Sequence, residues 1–404
     1  MKSKLRWIIL ILVFIATGLN FLDRQVLSIT IIKIQKEFNL NNVQYGMINT
    51  SFLISYALMF TIAGRLTELY GGKIGLGFSV LIWSVASSLH GVIGGFYQLI
   101  IVRFLLGMGE GGCFPGAAKT VSELFGEKDR AFANGIAIGG SAMGAVLAPP
   151  LTILISNSLG WRWSFIIPGI IGITWVITWV LIPWKNAKIE TAPLIIKEKA
   201  FSFVEILKNR TAQIFILMRF LLDPVFYFVM FWIPKYLNEQ RSVSFEEIGH
   251  LLWIPFLALG VSNMLGGWIS DRLIRNRISL NKARKVVMGV AAALTISAVL
   301  VQNVSSVALA IGLMSVLLFA HGFWITNYIT AIADVFGARG TSTVVGLSGT
   351  AGALSGLIIN PFIGWVVQHY SYSPLWIICG LLYPLAFVIF IVFVPKISSL
   401  KLAS

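Results

Sequence analysis

LIIVRFLLGMGEGGCFPGAAKTV, residues 99–121, is the stretch that decides how this chain is read. It is apolar enough to lie in a bilayer, yet it carries Arg103 and Glu110. A charge at the bilayer centre costs from about 2.5 to more than 10 kcal/mol, so an intramembrane charge marks a functional site by default. The separation of these two residues is about two helical turns, which puts both on one face roughly 10 Å apart along the axis. That spacing suits a shared polar cavity better than a direct contact. Gly107, Gly109, Gly111, Gly112 and Gly116 would let neighbouring helices approach closely.

The composition extends this reading to the whole chain. Of 404 residues, 57% are hydrophobic and 12% charged, against about 25% charged in soluble proteins. The mean hydropathy is +0.85. Apolar runs long enough to span a membrane fall at 7–32, 46–66, 74–94, 97–121, 131–155, 163–183, 212–236, 247–269, 285–303, 306–332, 342–367 and 375–395. The net charge of +15 does not point to a nucleic-acid partner, because the basic residues cluster in short loops and termini, the positive-inside pattern. Lys185–Arg210 holds six Lys/Arg and Asp271–Lys285 another six. With the N-terminal Lys2, Lys4 and Arg6 these fall on one side, which predicts both termini in the cytoplasm. Cys113 and Cys379 lie inside spans and predict neither a disulfide nor a metal site. The N-terminal apolar run lacks a small-residue cleavage site and is broken by Asp23-Arg24, so it reads as a retained first helix. No phosphate loop, paired metal-ligand histidines or CxxC occurs; neither an enzyme nor a cofactor is expected.

The expected fold is all-α: twelve transmembrane helices in two six-helix bundles, 1–184 and 212–404, joined by a cytoplasmic linker at 185–211. The halves echo each other. Gly64-Arg65-Leu66-Thr67-Glu68 follows span two, and Gly267-Trp268-Ile269-Ser270-Asp271-Arg272 follows span eight. GIAIGGSAMGAVLAPP at 135–150 matches GLSGTAGALSGLIINP at 346–361 in character. A parallel repeat of this kind predicts a substrate site near mid-membrane, between the halves.

These features resemble the major facilitator superfamily over essentially the whole chain. GRLTELYGGK at 64–73 is similar to its cytoplasmic gating motif, G-x-L-x-D-R-x-G-R-R, with Glu68 for the usual Asp and Leu69 for the usual Arg; Asp271-Arg272 fits that motif better. Gly64, Arg65, Glu68, Asp271 and Arg272 are therefore the gating candidates. RFLLGMGEGGCFPGAAK and NFLDRQVLS resemble the anion:cation symporter family, and FLLDPVFYFVMFWIPKYL at 220–237 is similar to bacterial hexuronate transporters.

Asp23, Arg24 and Arg103 are expected at similar depth, with Glu110 deeper. An arginine binds a carboxylate through two parallel hydrogen bonds and never loses its charge. A buried acid can take up and release protons as its surroundings change. The resemblance implies that Asp23 and Glu110 carry protons while Arg24 and Arg103 recognise an anion. It also places Tyr56 and Tyr227 in the pocket. The alternative is an ion-pair network that only fixes helix packing. His321, Trp324 and Asn327 share one face of span ten and offer a stacking plane and hydroxyl partners for a sugar. Asp223-Pro224 either lines the cavity or pairs with Arg219. The resulting expectation is a monomeric proton-coupled symporter importing a sugar-acid anion, a hexuronate foremost, across a bacterial inner membrane. Galactonate or glucarate symport, proton-antiport efflux and a non-transporting sensor are the competing readings.

Overall fold

Residues 2–125, 127–184 and 203–398 are described in the computed structural model. Among the described residues, twelve helices are long and apolar enough to cross a membrane: Lys4–Phe38, Asn42–Thr67, Gly72–Val92, Phe96–Leu124, Ala133–Ser158, Trp163–Leu181, Arg210–Arg241, Phe245–Arg275, Leu280–Leu300, Val307–Gly337, Thr343–His369 and Ser373–Phe393. They are spans one to twelve below, and each falls on its expected segment. Large apolar side chains such as Leu58, Phe78, Ile101 and Met264 remain exposed on them, the surface a bilayer would cover. Of the expected linker at 185–211, residues 185–202 lie outside the described residues.

Local chemistry explains where the helices end. Span one runs beyond its expected limit at 32 because the polar residues Gln35, Lys36 and Glu37 continue the helix. It stops at Asn39, whose φ of 53° is left-handed, a conformation asparagine tolerates better than most residues. Span two then starts at a capping box, in which the Asn41 side chain accepts from the Gln44 amide and the Gln44 side chain accepts from the Asn41 amide. Span eight starts the same way with Ser244 and Glu247. Spans two and three turn at Gly71, whose φ of 85° suits glycine. Spans ten and eleven meet at Gly337, which is non-helical at φ 56°.

Span four departs from the uninterrupted helix expected at 97–121. It is two helices, Phe96–Glu110 and Cys113–Leu124, broken at Gly111-Gly112. Its glycines let it sit against its neighbours with almost no gap. A Cβ on Gly107 would lie 2.2 Å from Ser55 Oγ, and one on Gly109 would lie 2.4 Å from the Trp83 amide nitrogen.

The chain divides into two compact units. The first comprises Met1–Ile195, Met230–Trp253 and Leu357–Gln368; the second comprises Ile196–Val229, Ile254–Gly356 and His369–Ser404. The first unit therefore includes the ends of spans seven, eight and eleven. Tyr45 Oη donates to the Phe231 carbonyl, Thr50 Oγ1 to the Leu357 carbonyl at 3.1 Å, and Trp232 Nε1 to Asn360 Oδ1 at 3.1 Å. Lys235 Nζ donates to Gln35 Oε1 at 2.5 Å. Backbone approach is close here too: a Cβ on Gly46 would meet the Asn360 carbonyl oxygen at 2.5 Å.

Candidate functional site

In the first unit, span one carries Asp23 and Arg24 side by side. Neighbours on a helix point about 100° apart, and the two side chains go to different partners. Arg24 turns to span four, where Nε and Nη2 both donate to Glu110 Oε2, at 3.0 and 2.9 Å. Nη2 also reaches Asn20 Oδ1 at 3.4 Å. The guanidinium rests on aromatic faces, with Cζ 4.7 Å from the Tyr56 ring centre, 5.0 Å from Phe21 and 5.3 Å from Phe52. Such faces suit a desolvated cation. Asp23 accepts from Ser87 Oγ of span three at 2.7 Å and has no salt bridge among the described residues.

Glu110 closes the first helix of span four, just ahead of the glycine break. It is wholly buried, and its Oε1 has no hydrogen-bond partner among the described residues. Arg103, two turns earlier, is 2% exposed. No hydrogen bond joins it to Glu110, as the spacing implied. Its Nε and Nη2 are buried with no partner among the described residues, and Cζ lies 5.9 Å from the Phe52 ring centre. Leaving a buried polar group unpaired costs about 1–3 kcal/mol, and more for a charged one. Nearby stands His90, which sequence reading missed. It is fully buried and stacked on Phe165 at 4.7 Å, Nδ1 is 2.7 Å from the Ala86 carbonyl oxygen, and Nε2 is unpartnered among the described residues.

The second unit gathers a different set. In span seven Arg219 Nη2 donates to Asp223 Oδ2 at 2.8 Å, one helical turn away. Phe226 stacks on the His321 imidazole, centres 4.7 Å apart and planes at 13°. Tyr227 is buried beside Phe226. His321 Nδ1 is hydrogen-bonded to Tyr383 Oη, and Trp324 meets the same tyrosine edge-on at 5.5 Å. His321 and Trp324 are thus brought together by Tyr383, a residue of span twelve that nothing in its apolar run singles out. Asn327 goes elsewhere: its amide donates to the Gly266 and Phe323 carbonyls, at 3.1 and 3.0 Å.

The gating candidates are also placed within their own units. Asp271 Oδ1 accepts from Arg284 Nη1 at 3.1 Å, and the same arginine donates to Ser270 Oγ and to Asp334 Oδ2. Arg272 lies over the Trp268 ring. Arg284 and Asp334, from spans nine and ten, complete this charge cluster, and neither was expected. Gly64 lies near Pro115 and Arg65 is exposed; the side chain of Glu68 lies outside the described residues.

Three comparisons bear on this architecture. The family description "Major Facilitator Superfamily" matches residues 13–360. The hexuronate transporter of Escherichia coli K12 is 28% identical over 387 residues, covering 92% of this chain and 90% of that protein. A probable galactarate/D-glucarate transporter of Bacillus subtilis is 27% identical, covering 91% and 87%. Among solved structures, a bacterial homologue of the human lysosomal transporter Spinster, in an inward-facing and unoccupied conformation, superposes with a TM-score of 0.74 at 20% identity, over 98% of this chain and 95% of that one.

Proposed function

The chain belongs to the Major Facilitator Superfamily, and from that premise we propose that it is a proton-coupled symporter importing a sugar-acid anion, a hexuronate such as glucuronate or galacturonate, by alternating access. Its fold and its relatives are those of transporters, not enzymes, and its twelve spans make it a multi-pass membrane protein. The names of the relatives support the sugar-acid class. The proposal includes a monomer in a bacterial inner membrane, with both termini cytoplasmic.

The observation that carries the reading is the contrast between two arginines of one cluster. Nε and Nη2 lie along the same edge of a guanidinium and present two parallel N–H bonds, the geometry that fits a carboxylate. In Arg24 that edge is occupied by Glu110. In Arg103 the same edge is buried and open. A substrate carboxylate at Arg103 would satisfy both donors at once. A proton on Glu110 would weaken its hold on Arg24 and free a second guanidinium for the anion. Asp23, held by Ser87, is the second proton site. Tyr56, whose ring already carries Arg24, joins the anion site. Tyr227, His321, Trp324 and Asn327 read the sugar hydroxyls, the last through Oδ1, which has no partner among the described residues.

The test is uptake of labelled glucuronate into proteoliposomes, competed by galacturonate, galactonate and glucarate. The reading expects the two hexuronates to compete best. Failure of every sugar acid to enter or compete would assign the arginines to another anion and sink it.

A further inference from the structure

Asp23 and Glu110, the two acids of the first unit's cluster, are held by different chemistry. Glu110 is gripped by a guanidinium. Asp23 is 1% exposed, and its Oδ1 accepts from Ser87 Oγ at 2.7 Å. A carboxyl group that exchanges protons has to be held in two forms, as an acceptor when ionised and as a donor when protonated. A cation or a backbone N–H serves the first form only. A hydroxyl serves both, because it carries one proton and two lone pairs.

Ser87 also has a second acceptor within reach. The same Oγ lies 3.1 Å from the carbonyl oxygen of Phe165, in span six, and its single proton goes to one acceptor at a time. The Asp23 contact has the ordinary O–H···O length and the Phe165 contact is long. The first is therefore the bond made, and the second acceptor stands in reserve. Phe165 is itself well fixed. Its ring stacks on His90, centres 4.7 Å apart and planes at 8°, and His90 Nδ1 lies 2.7 Å from the Ala86 carbonyl oxygen. Spans three and six are pressed together on either side. A Cβ on Gly169 would lie 2.1 Å from Ser88 Oγ, and one on Gly91 would lie 2.4 Å from the Ile166 side chain.

Resting on the proposed role of Asp23, we infer that Ser87 is a positioning residue for proton coupling: its hydroxyl donates to the ionised Asp23, and when Asp23 is protonated it accepts from that acid and donates to the Phe165 carbonyl instead. No bond of Ser87 breaks. The incoming proton forms an O–H on Asp23, and the serine proton rotates about Cβ–Oγ from one acceptor to the other. Both forms of the acid are then hydrogen-bonded within the span, with no heavy atom displaced. The charged groups around Asp23 are its neighbour Arg24, bound to Glu110, and Arg103 and Glu110 of span four. His90 stands one turn beyond Ser87 on span three. Spans five and six, Ala133–Ser158 and Trp163–Leu181, contain no titratable side chain.

The experiment takes two readouts from the protein in proteoliposomes. Infrared difference spectra between acid and alkaline pH record the carboxylic-acid C=O stretch of Asp23 as the band that Asp23→Asn removes. In Ser87→Ala that band should change frequency, because the Asp23 O–H has lost its acceptor. The pH at which glucuronate uptake falls to half should also move, to higher pH by about one unit, since the ionised carboxylate loses a charge-assisted bond and the acid only a neutral one. Ser87→Cys, a weaker donor of similar size, should fall between serine and alanine. A role in packing alone would lower uptake equally at every pH and leave the band in place. An unmoved band in the folded Ser87→Ala protein overturns the inference, as does a uniform loss of uptake with the pH profile unmoved. If no titrating band depends on Asp23, the proton role of Asp23 fails and takes the inference with it. If no sugar acid enters the wild-type protein, the sugar-acid reading fails, and the infrared shift alone decides for Ser87.

Discussion

The two units each bury a cluster of charged and aromatic side chains, but they build them differently. In the first, the ion pair joins helices far apart in the chain, Arg24 to Glu110, and a second guanidinium, Arg103, keeps Nε and Nη2 without a partner among the described residues. In the second, the ion pair is local to one helix, Arg219 to Asp223, and the rest is aromatic: Phe226, His321, Trp324 and Tyr383. A pair that bridges helices can be made or broken as helices shift or protons bind. A pair one turn apart on a single helix keeps its charges together through such a shift. Under the proposed function, charge recognition and coupling fall to the first cluster, and hydroxyl and ring recognition to the second.

The largest effect that would sharpen this division comes from Arg103→Gln. Two charge-assisted hydrogen bonds to the anion are lost, each worth about 1.5–3 kcal/mol, so initial glucuronate uptake should fall by about two orders of magnitude or more. Uptake kinetics in proteoliposomes check it, and near-normal transport would break the assignment of the first cluster. Tyr383→Phe should do less. It removes the phenol that positions His321 and keeps the ring against Trp324, so KM should rise by up to about tenfold with the accumulation ratio intact. A collapse of accumulation with unchanged KM would instead move coupling into the second cluster. Smaller still, Arg162→Ala breaks the exposed pair with Glu37, 2.7 Å apart at the end of span one. Exposed pairs contribute about 0–1 kcal/mol. Transport should be unaltered, and thermal unfolding of the detergent-solubilised protein should shift by a few degrees at most.

Much of this was legible in the sequence, because a membrane leaves strong marks. Twelve apolar runs stand out from a chain with few charges, and intramembrane residues such as Asp23, Arg24, Arg103 and Glu110 stand out from those runs. The glycines of span four signalled close helix packing, and the Gly107 and Gly109 contacts bear this out. Partnerships were not legible. Helical spacing shows that Arg103 and Glu110 share a face, but nothing in it says that Glu110 belongs to Arg24, in another helix. Ser87, His90, Tyr383, Arg284 and Asp334 were missed for the same reason: each finds its partner across helices, and their runs carry no periodicity that reports it. The break at Gly111-Gly112 was hidden inside an apolar run that hydropathy reads as continuous. Asn327 shares a helical face with His321 and Trp324, yet its amide reaches the backbone of span eight, a neighbour that spacing within one helix does not reveal.

In the proposed mechanism a proton at Glu110 is linked to the anion through Arg24. Glutamine at this position keeps a carbonyl acceptor for Arg24 but mimics the protonated acid, and it cannot release a proton. The direct measurement compares gradient-driven accumulation with substrate exchange in proteoliposomes, for the wild-type protein and for Glu110→Gln. The account predicts that wild-type protein concentrates glucuronate above the external level until a protonophore collapses the gradient. It predicts that Glu110→Gln still exchanges labelled for unlabelled glucuronate but does not accumulate it. Uphill accumulation by Glu110→Gln, or wild-type accumulation indifferent to the protonophore, would contradict it.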